Sequence, residues 1–493
     1  MSTPITASML YAQVECPHRV SMDLFADPET RDKVSPFVQL LWDRGVAHEE
    51  AVIADLITPY VDLSAVSAAE REEATRVAMK AGAALIYSGR LSVDDLVGEP
   101  DLLRKEGDKY VAGDIKSGRG EEAGEDEGDG KPKKHYGVQL ALYTDVLEKL
   151  GLSAGRRAFV WDIHRQEVPY DFNASYGVRN PRTLWQDYEE ALAATRQIIA
   201  KQTATLPASA SICKNCVWMT PCKVDLLTRD DLTLIPELGR AKRDVMMAEI
   251  PTVKVLADIN PAAYITKAKT SFAGVGPATL EKMQARAKLL STPDAKPYLK
   301  APVQLPKSAI ELFFDIEVDP MRDICYLHGF VERAEDGSEV FVAFFADEPT
   351  AAAEEKAFAA AWAYMNSKQP CTIYYYSKYE RTLYRKLQAK YPVVCNAEAI
   401  EAMFDPARTI DLYYDVVFKA TEWPTHDHSI KTLAKYLGFK WRDTHPSGAA
   451  SIEWFDRWVQ EKDPAIKQRI LDYNEDDCRA TRVLLDGIRD LAG

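Results

Sequence analysis

Several features are missing from this 493-residue sequence, and each absence excludes a class of protein. The sequence contains no long uncharged apolar run, whereas a membrane-spanning helix needs about 20 apolar residues in succession. A positively charged start followed by an apolar segment is also missing, so we expect a cytoplasmic protein with no membrane attachment. No glycine-rich loop ends in Gly-Lys-Ser or Gly-Lys-Thr, which excludes a built-in helicase motor of the P-loop type.

Positive charge is also in short supply, because 61 Lys and Arg face 75 Asp and Glu, for a net charge of −14. Phosphate binding depends on Lys and Arg, so the net charge does not by itself indicate a nucleic-acid-binding protein. It does not exclude one, since the basic surface can be local and metal-binding nuclease sites are built from carboxylates. The hydrophobic fraction of 46% is that of a globular protein, and the length predicts two or three domains.

Cysteine is scarce and unevenly placed. Four of the eight are scattered singly through the second half and are expected to be small buried side chains: Cys325, Cys371, Cys395 and Cys478. Cys213, Cys216 and Cys222 lie close together, and Cys16 is the obvious fourth member of the group. In a chain without a secretion signal this spacing favours a metal centre over disulfides. Four thiolates suit tetrahedral zinc as well as an iron–sulfur cluster, so spacing alone leaves both open.

The pattern of elements predicts an α/β protein with three units, at 1–228, 229–292 and 307–493, and a proline-rich linker at 293–306. Residues 118–134 are rich in glycine and acidic residues, which predicts a solvated loop inside the first unit. The middle unit is helical in period. In the third unit, strand-like AIELFFDIEV, ICYLHGFVER, EVFVAFFAD and TIYYYS alternate with helices, which predicts a mixed sheet.

The first unit contains two carboxylates with metal-binding potential. Asp114 ends an apolar strand in KYVAGDIKSG, and Asp101 lies upstream in GEPDLLRK. Oxygen ligands of this kind hold a hard divalent cation such as Mg²⁺. Lys116 lies two residues beyond Asp114, on the same face of the strand. There it can orient the attacking water and offset charge on a scissile phosphate.

Three more residues accompany these carboxylates. Gln139 and Tyr143 are one helical turn apart and share a face, and His48 lies in a helical stretch before the strands. Taken singly, His48 also fits a surface histidine and Tyr143 a tyrosine in the core of a helix.

The order His, Asp, Asp-x-Lys, Gln-x-x-x-Tyr resembles the RecB-type branch of the PD-(D/E)xK nucleases, whose domain has a restriction-endonuclease-like fold. The resemblance implies metal ligation by His48, Asp101 and Asp114, assisted by the backbone carbonyl of Ile115. It also implies catalysis by Lys116 and positioning of DNA by Gln139 and Tyr143.

The cysteines extend this resemblance. One distant cysteine before the nuclease core and three just after it are similar to the pattern of the iron–sulfur RecB-like nucleases. The resemblance favours a four-iron, four-sulfur (4Fe-4S) cluster on Cys16, Cys213, Cys216 and Cys222 over zinc. It implies a structural role in which the cluster staples the two ends of the domain together.

In the middle unit, Gly274 and Gly276 form a Gly-x-Gly turn that opens a helix, whose first amides can face a phosphate. The segment resembles a helix-hairpin-helix element, with a weaker first copy upstream. Such elements grip the DNA backbone, but they also occur as plain helical spacers.

The third unit contains a second set of carboxylates. Asp315 and Glu317 lie on one face of a strand, and Tyr473 and Asp477 share one face of the last helix. The arrangement resembles the DEDD-type 3′–5′ exonucleases of the RNase H-like superfamily. The resemblance implies two metal ions between the carboxylates and a tyrosine that orients water.

One position departs from that family. Its members usually have an aspartate after the central strand, where TIYYYSKYERTLYRKL offers Glu380 instead. Asp411, in RTIDLYYDVV, is a second candidate for the missing metal ligand.

The whole chain is similar to a family of bacterial RecB-like nucleases. That implies an Mg²⁺- or Mn²⁺-dependent DNA nuclease in repair or defence, favouring single-stranded DNA, with two separate sites and with a helicase as a separate partner. Two other hypotheses remain: a nucleic-acid-binding clamp or regulator with one or both sites vestigial, and an RNase.

Overall fold

The structure is a computed structural model that describes residues 3–122, 130–177, 180–306 and 308–492. It divides into two compact units, Met1–Pro207 with Ser211–Cys222, and Ala208–Ala210 with Lys223–Gly493. Residues 123–129 of the predicted acidic loop lie outside the described ranges. On either side of them, Glu121–Glu122 and Lys131–Pro132 pair as two short antiparallel strands. In the described part of the chain, no helix is both long and apolar enough to cross a membrane.

The first unit contains a six-stranded mixed sheet. The strands of the first unit, in this sheet and outside it, are β1 (Ile5–Thr6), β2 (Val61–Asp62), β3 (Leu85–Tyr87), β4 (Leu91–Val93), β5 (Leu96–Gly98), β6 (Leu102–Glu106), β7 (Lys109–Ile115), β8 (Glu121–Glu122), β9 (Lys131–Pro132), β10 (Ser153–Trp161), β11 (Glu167–Asp171), β12 (Ser175–Tyr176) and β13 (Arg182–Thr183). The large sheet has the order β11-β10-β7-β6-β3-β2, with β7 parallel to β10 and antiparallel to β6. A second sheet has the order β1-β5-β4.

Helices cover this sheet. They are α1 (Ala7–Glu15), α2 (Pro17–Phe25), α3 (Pro36–Ala54), α4 (Ala68–Lys80), α5 (Lys134–Lys149), α6 (Leu184–Ile199) and α7 (Met219–Arg229), and the division between the units falls within α7. Alternation along β7 sends its side chains to two cores: Tyr110 and Ala112 pack with residues of α5, and Val111 packs with Val52 of α3. Asp114 continues the α5-facing series, which places its carboxylate beside α5.

The second unit begins with a small helical core. Its helices are α8 (Gly239–Met246), α9 (Val253–Asp258) and α10 (Pro277–Ser291). Leu256 and Leu280 are fully buried between α9 and α10. Residues 265–270 add a short antiparallel hairpin, β14 (Ile265–Thr266) with β15 (Lys269–Thr270), which the helical period did not predict. Within the proline-rich segment, β16 (Tyr298–Leu299) pairs with β22 (Thr421–Glu422).

The remainder of the second unit is built on a mixed sheet, as predicted, and its five strands have the order β19-β18-β17-β20-β21. The strands are β17 (Ile310–Asp319), β18 (Ile324–Ala334), β19 (Glu339–Phe345), β20 (Thr372–Tyr375) and β21 (Thr409–Asp411). The helices are α11 (Ala351–Ser367), α12 (Tyr379–Lys390), α13 (Ala397–Met403), α14 (Phe418–Ala420), α15 (Ile430–Tyr436), α16 (Gly448–Glu461) and α17 (Pro464–Ala492), with a π-helix at Leu412–Val417.

The two faces of β17 pack against different helices. Phe314 packs with Phe358 of α11 and Tyr384 of α12, whereas Phe313 packs with Leu484 of α17. Because side chains alternate along a strand, Asp315 shares the α17-facing side with Phe313. The strand pattern in the sequence thus directs the acidic residues of β17 toward the last helix.

Candidate active sites

The first predicted site lies at the hairpin of β6 and β7. Asp101 immediately precedes β6, and its Oδ2 accepts a hydrogen bond from the backbone N–H of Ile115 at 2.7 Å. Its own backbone N–H lies 3.4 Å from Oδ1 of Asp114, near the end of β7. The Nζ of Lys116 lies 2.8 Å from Oδ2 of Asp114. The structure therefore brings Asp101, Asp114 and Lys116 together.

Charge is concentrated at this hairpin. Burial, with the Asp114 carboxylate adding to it, raises the pKa of Asp101 well above its usual range. Burial alone would lower the pKa of Lys116, but Asp114 and Asp101 outweigh that effect and raise it, so this lysine stays protonated. Two adjacent carboxylates, one buried and one half-buried, with one lysine fit a divalent cation, because its charge would offset their repulsion.

Helix α5 supplies the predicted Gln-x-x-x-Tyr pair. The Nε2 of Gln139 donates to Oδ2 of Asp114 at 2.8 Å and to the hydroxyl of Tyr143 at 3.3 Å. Tyr143 is buried, and burial followed by the charge of Asp114 raises the pKa of its phenol well above the usual value. Gln139 thus orients the carboxylate of Asp114 as well as facing the site.

His48 lies on α3, as expected, and its Nε2 is buried without a hydrogen-bond partner. An unsatisfied buried nitrogen of this kind suits a metal ligand. The neighbouring Glu49 was not predicted: it accepts a hydrogen bond from Tyr87 at 2.9 Å, and its charge raises the pKa of Asp101. In the sequence, its position directly after His48 is the feature that could have indicated a place near the site.

The cysteine-rich segment belongs to the first unit. Cys16 lies between α1 and α2, Cys213 lies in the 3₁₀ turn Ser211–Asn215, and Cys222 lies in α7. Burial raises the pKa of Cys216, and the nearby Cys16 and Cys213 raise it further, so these three thiols are neighbours.

Polar contacts hold this segment against the start of the chain. The indole N–H of Trp218 donates to Oδ1 of Asp23 at 2.7 Å. The backbone N–H of Thr220 donates to Oδ2 of Asp32 at 2.8 Å, and the N–H of Asp32 donates to the carbonyl of Val217 at 2.7 Å. The two ends of the first unit therefore meet where the cysteines lie.

The second predicted site gathers Asp315 and Glu317 from β17 and Asp477 from α17. Their ligand oxygens lie within 4.8 Å of one another, and among the described residues no other group of three or more His, Cys, Asp or Glu meets that distance. Burial, followed by the charge of Asp477, raises the pKa of Glu317 to about 8. The same two causes raise the pKa of Asp315 well above its usual range. Three clustered carboxylates of this kind fit a divalent cation.

Three residues at the second site were not predicted. The Nδ2 of Asn474, which is fully buried, donates to Oδ2 of Asp315 at 2.7 Å. The Nζ of Lys431 donates to the hydroxyl of Tyr473 at 2.6 Å and lies 3.4 Å from Oδ2 of Asp477.

The indole N–H of Trp441 donates to the other oxygen of Asp477 at 2.7 Å. Asn474 follows the predicted Tyr473 and so carried a local signal. Lys431 and Trp441 lie on segments with no acidic motif, so only the tertiary structure shows them.

The two candidates for the fourth ligand have different surroundings. Glu380, in the first turn of α12, is 4% exposed, and its Oε2 is buried without a hydrogen-bond partner. Its charge raises the pKa of Asp315, so it lies within electrostatic reach of the site. Asp411 caps the π-helix instead: its Oδ1 accepts backbone N–H bonds from Ser377, Tyr413 and Tyr414 at 3.1, 2.9 and 3.0 Å.

In the helical part, Gly276 is the N-cap of α10 and Gly274 adopts a φ of +75°. A β-carbon at either position would meet no atom within 4 Å, so the turn is open on its outer side. A left-handed φ explains the glycine at position 274.

Two family descriptions match the chain. Residues 18–223 match the PD-(D/E)XK nuclease superfamily, and residues 312–488 match the RNase_H superfamily. No curated protein matches the chain. The chain therefore joins a PD-(D/E)XK nuclease domain to an RNase H domain, which confirms the predicted fusion and fold. Both superfamilies are nucleases, so the protein is a hydrolytic nuclease with a nucleic-acid substrate.

Proposed function

We propose that the protein is an Mg²⁺- or Mn²⁺-dependent DNA nuclease with two separate sites, acting as an exonuclease on single strands in repair or defence. The observation that carries the proposal is the group of Asp315, Glu317 and Asp477, whose ligand oxygens lie within 4.8 Å in a largely buried setting. Divalent cations bound there would activate water and neutralise charge on the scissile phosphate. We propose that residues 1–228, 229–292 and 307–493 are the functional segments and that residues 293–306 link the second to the third.

In the first site we assign metal ligation to His48, Asp101 and Asp114. The ammonium of Lys116 lies against Asp114 and remains protonated, so it can steady negative charge that develops on a phosphate. Gln139 holds Asp114 in orientation, and we assign the positioning of DNA to Gln139 and Tyr143.

In the second site we assign Asp315, Glu317, Asp477 and Glu380 as ligands and Tyr473 as the residue that orients water. Glu380 is supported by its buried, unpartnered Oε2 and by its effect on the pKa of Asp315. The three backbone donors on Asp411 favour a capping role for that residue.

We further propose that Cys16, Cys213, Cys216 and Cys222 hold a 4Fe-4S cluster with a structural role. One observation supports it: Cys16, Cys213 and Cys216 are neighbours where the two ends of the first unit meet. We also propose that Gly274 and Gly276 contact the DNA backbone and that a helicase acts as a separate partner.

The decisive experiment incubates end-labelled DNA and RNA single strands with the wild type, Lys116→Ala and Asp315→Ala, with Mg²⁺, Mn²⁺ or chelator. We expect metal-dependent degradation of DNA, and each substitution should remove a different product pattern. Degradation of RNA alone would identify an RNase. Binding without cleavage under every condition would identify a clamp or regulator.

A further inference from the structure

An exposed surface of the second unit combines aromatic rings with lysines and has no part in the chemistry above. We call it the aromatic–lysine strip, and it consists of Lys282, Lys378, Tyr379, Tyr414 and Phe418. The side chains of Tyr379, Tyr414 and Phe418 are 50%, 38% and 38% exposed. Large rings are usually buried further, so a group of three exposed ones suggests a binding surface.

Lysines lie over these rings. The Nζ of Lys378 is 5.7 Å from the centre of the Tyr414 ring, and the Nζ of Lys282 is 4.8 Å from that of Phe418. The rings of Tyr414 and Phe418 are themselves 6.3 Å apart. A ligand with flat apolar faces and regularly spaced negative charges would match this alternation of rings and cations.

The strip borders the second active site. Tyr379 immediately precedes Glu380 in the first turn of α12, and its side chain is half exposed. The exposed ring of Tyr379 therefore lies one residue from a proposed ligand of that site.

The carboxylate of Asp411 connects the segment that precedes Tyr379 to the π-helix that contains Tyr414. Oδ1 of Asp411 accepts the N–H of Ser377, in the loop just before Tyr379, and that of Tyr414, in the π-helix. Ser377 has a φ of +95°, a strained value for a residue with a side chain. Strained residues and π-helical turns are both frequent at functional sites.

We propose that the aromatic–lysine strip binds single-stranded nucleic acid and guides its end to the second active site. Bases stack on the exposed rings, and backbone phosphates contact Lys378. Phosphates also compete with Glu237 for Lys282, whose Nζ lies 2.7 Å from that carboxylate. Duplexes should bind this surface poorly, because their base faces are already stacked on one another. The inference rests on the proposed nuclease function, and it adds the path by which substrate reaches one site.

The test uses the full chain with Asp114→Ala and Asp315→Ala, so that bound strands are not cut. Fluorescence anisotropy with labelled oligothymidylate, oligouridylate and a duplex of equal length gives the Kd values. Tyr414→Leu keeps an apolar side chain but removes the ring, and should weaken single-strand binding roughly five- to hundredfold, the range for one stacked base. Tyr414→Phe should stay within about twofold, since it keeps the ring.

Two further measurements address the lysines and the contact itself. Lys378→Gln should reduce the slope of log Kd against log salt concentration by about 0.7, the value for one phosphate of a single strand. A strand carrying 5-iodouracil should crosslink on irradiation to one of the rings of the strip.

Tyr176→Leu is the matched control, because Tyr176 is 42% exposed but lies in the first unit. An unchanged Kd in Tyr414→Leu, equal weakening in Tyr176→Leu, or equal loss of duplex binding would overturn the proposal. If the strip variants lose binding while the unmutated chain never cleaves, the strip stands and the nuclease proposal fails. If the unmutated chain cleaves DNA and Tyr414→Leu binds single strands normally, the nuclease proposal stands and the proposal for the strip fails.

Discussion

Substitutions at Glu380 and Asp411 should separate a metal ligand from a structural cap. Asp411 accepts three backbone hydrogen bonds on one oxygen. At about 0.5–1.5 kcal/mol each, their loss in Asp411→Ala should cost roughly 2–4 kcal/mol. For a domain of this size that lowers the thermal midpoint by roughly 4–16 °C. Asp411→Asn keeps the acceptor oxygen and should cost less than about 1 kcal/mol, since Asn and Asp cap helices equally well.

Glu380 should behave in the opposite way. Its Oε2 has no hydrogen-bond partner, so Glu380→Gln removes a buried ionisable group without breaking a bond at that oxygen. The thermal midpoint should therefore hold or rise. Cleavage at the second site should fall to the level of Asp315→Ala, because the site loses a negative ligand, and Glu380→Asp should retain part of it.

The assay follows a labelled single strand in a Lys116→Ala background, which silences the first site, while calorimetry records the thermal midpoint. Full cleavage by Glu380→Gln together with loss of cleavage by a stably folded Asp411→Asn would refute the assignment. Loss of both activity and stability in Asp411→Ala decides nothing by itself, which is why the Asn variant is the deciding one.

The remaining predictions concern the other groups of the molecule. Lys116→Ala should remove cleavage at the first site but keep Mn²⁺ binding there, since it deletes a charge and not a ligand; calorimetric titration showing lost binding would contradict this. Anaerobically purified protein should be brown if it contains the cluster. Cys213→Ala should remove the colour and expose the first unit to proteolysis, because binding of the cluster stabilises the fold. Colourless protein with one bound zinc would contradict the iron–sulfur proposal. In chelator, the thermal midpoint of the second unit should fall as pH rises from about 5 to 8, because the pKa of Glu317 is raised to about 8 and the folded state holds that proton more tightly than the unfolded chain. Added Mg²⁺ should reverse the fall, and a midpoint that rises with pH would show the opposite linkage. Arg286→Met should destabilise the second unit by about 3–5 kcal/mol, because it leaves the buried Glu422 without its bidentate partner; urea unfolding measures this, and a loss below about 1 kcal/mol would mean that the pair does not stabilise the packing of α10 against β22.

The sequence by itself determined the elements and the local pairs. Alternation in ELFFDIEV placed Asp315 and Glu317 on one face of a strand, and a four-residue spacing placed Tyr473 and Asp477 on one face of a helix. These relations depend only on the periods of strand and helix, which the local backbone sets. The fused arrangement of two nuclease domains also followed from the order of motifs along the chain.

Only the tertiary structure decided which distant groups meet these residues. Lys431 and Trp441 reach Asp477 from segments without a motif, and Asn474 approaches Asp315 because Gly329 leaves room for it. A β-carbon at Gly329 would lie 1.6 Å from the side-chain oxygen of Asn474. Contacts of this kind depend on how a helix packs across a sheet, and neither the helical period nor the strand period predicts that packing.

The same distinction separates Glu380 from Asp411. In the sequence both are acidic residues at the end of a strand, and nothing local distinguishes a ligand from a cap. In the folded chain three backbone amides converge on Asp411, while Glu380 is enclosed near Asp315 with an oxygen left unbonded. Burial and hydrogen bonding from distant residues set the chemistry of a carboxylate, so its role is decided by the fold rather than by its neighbours in the chain.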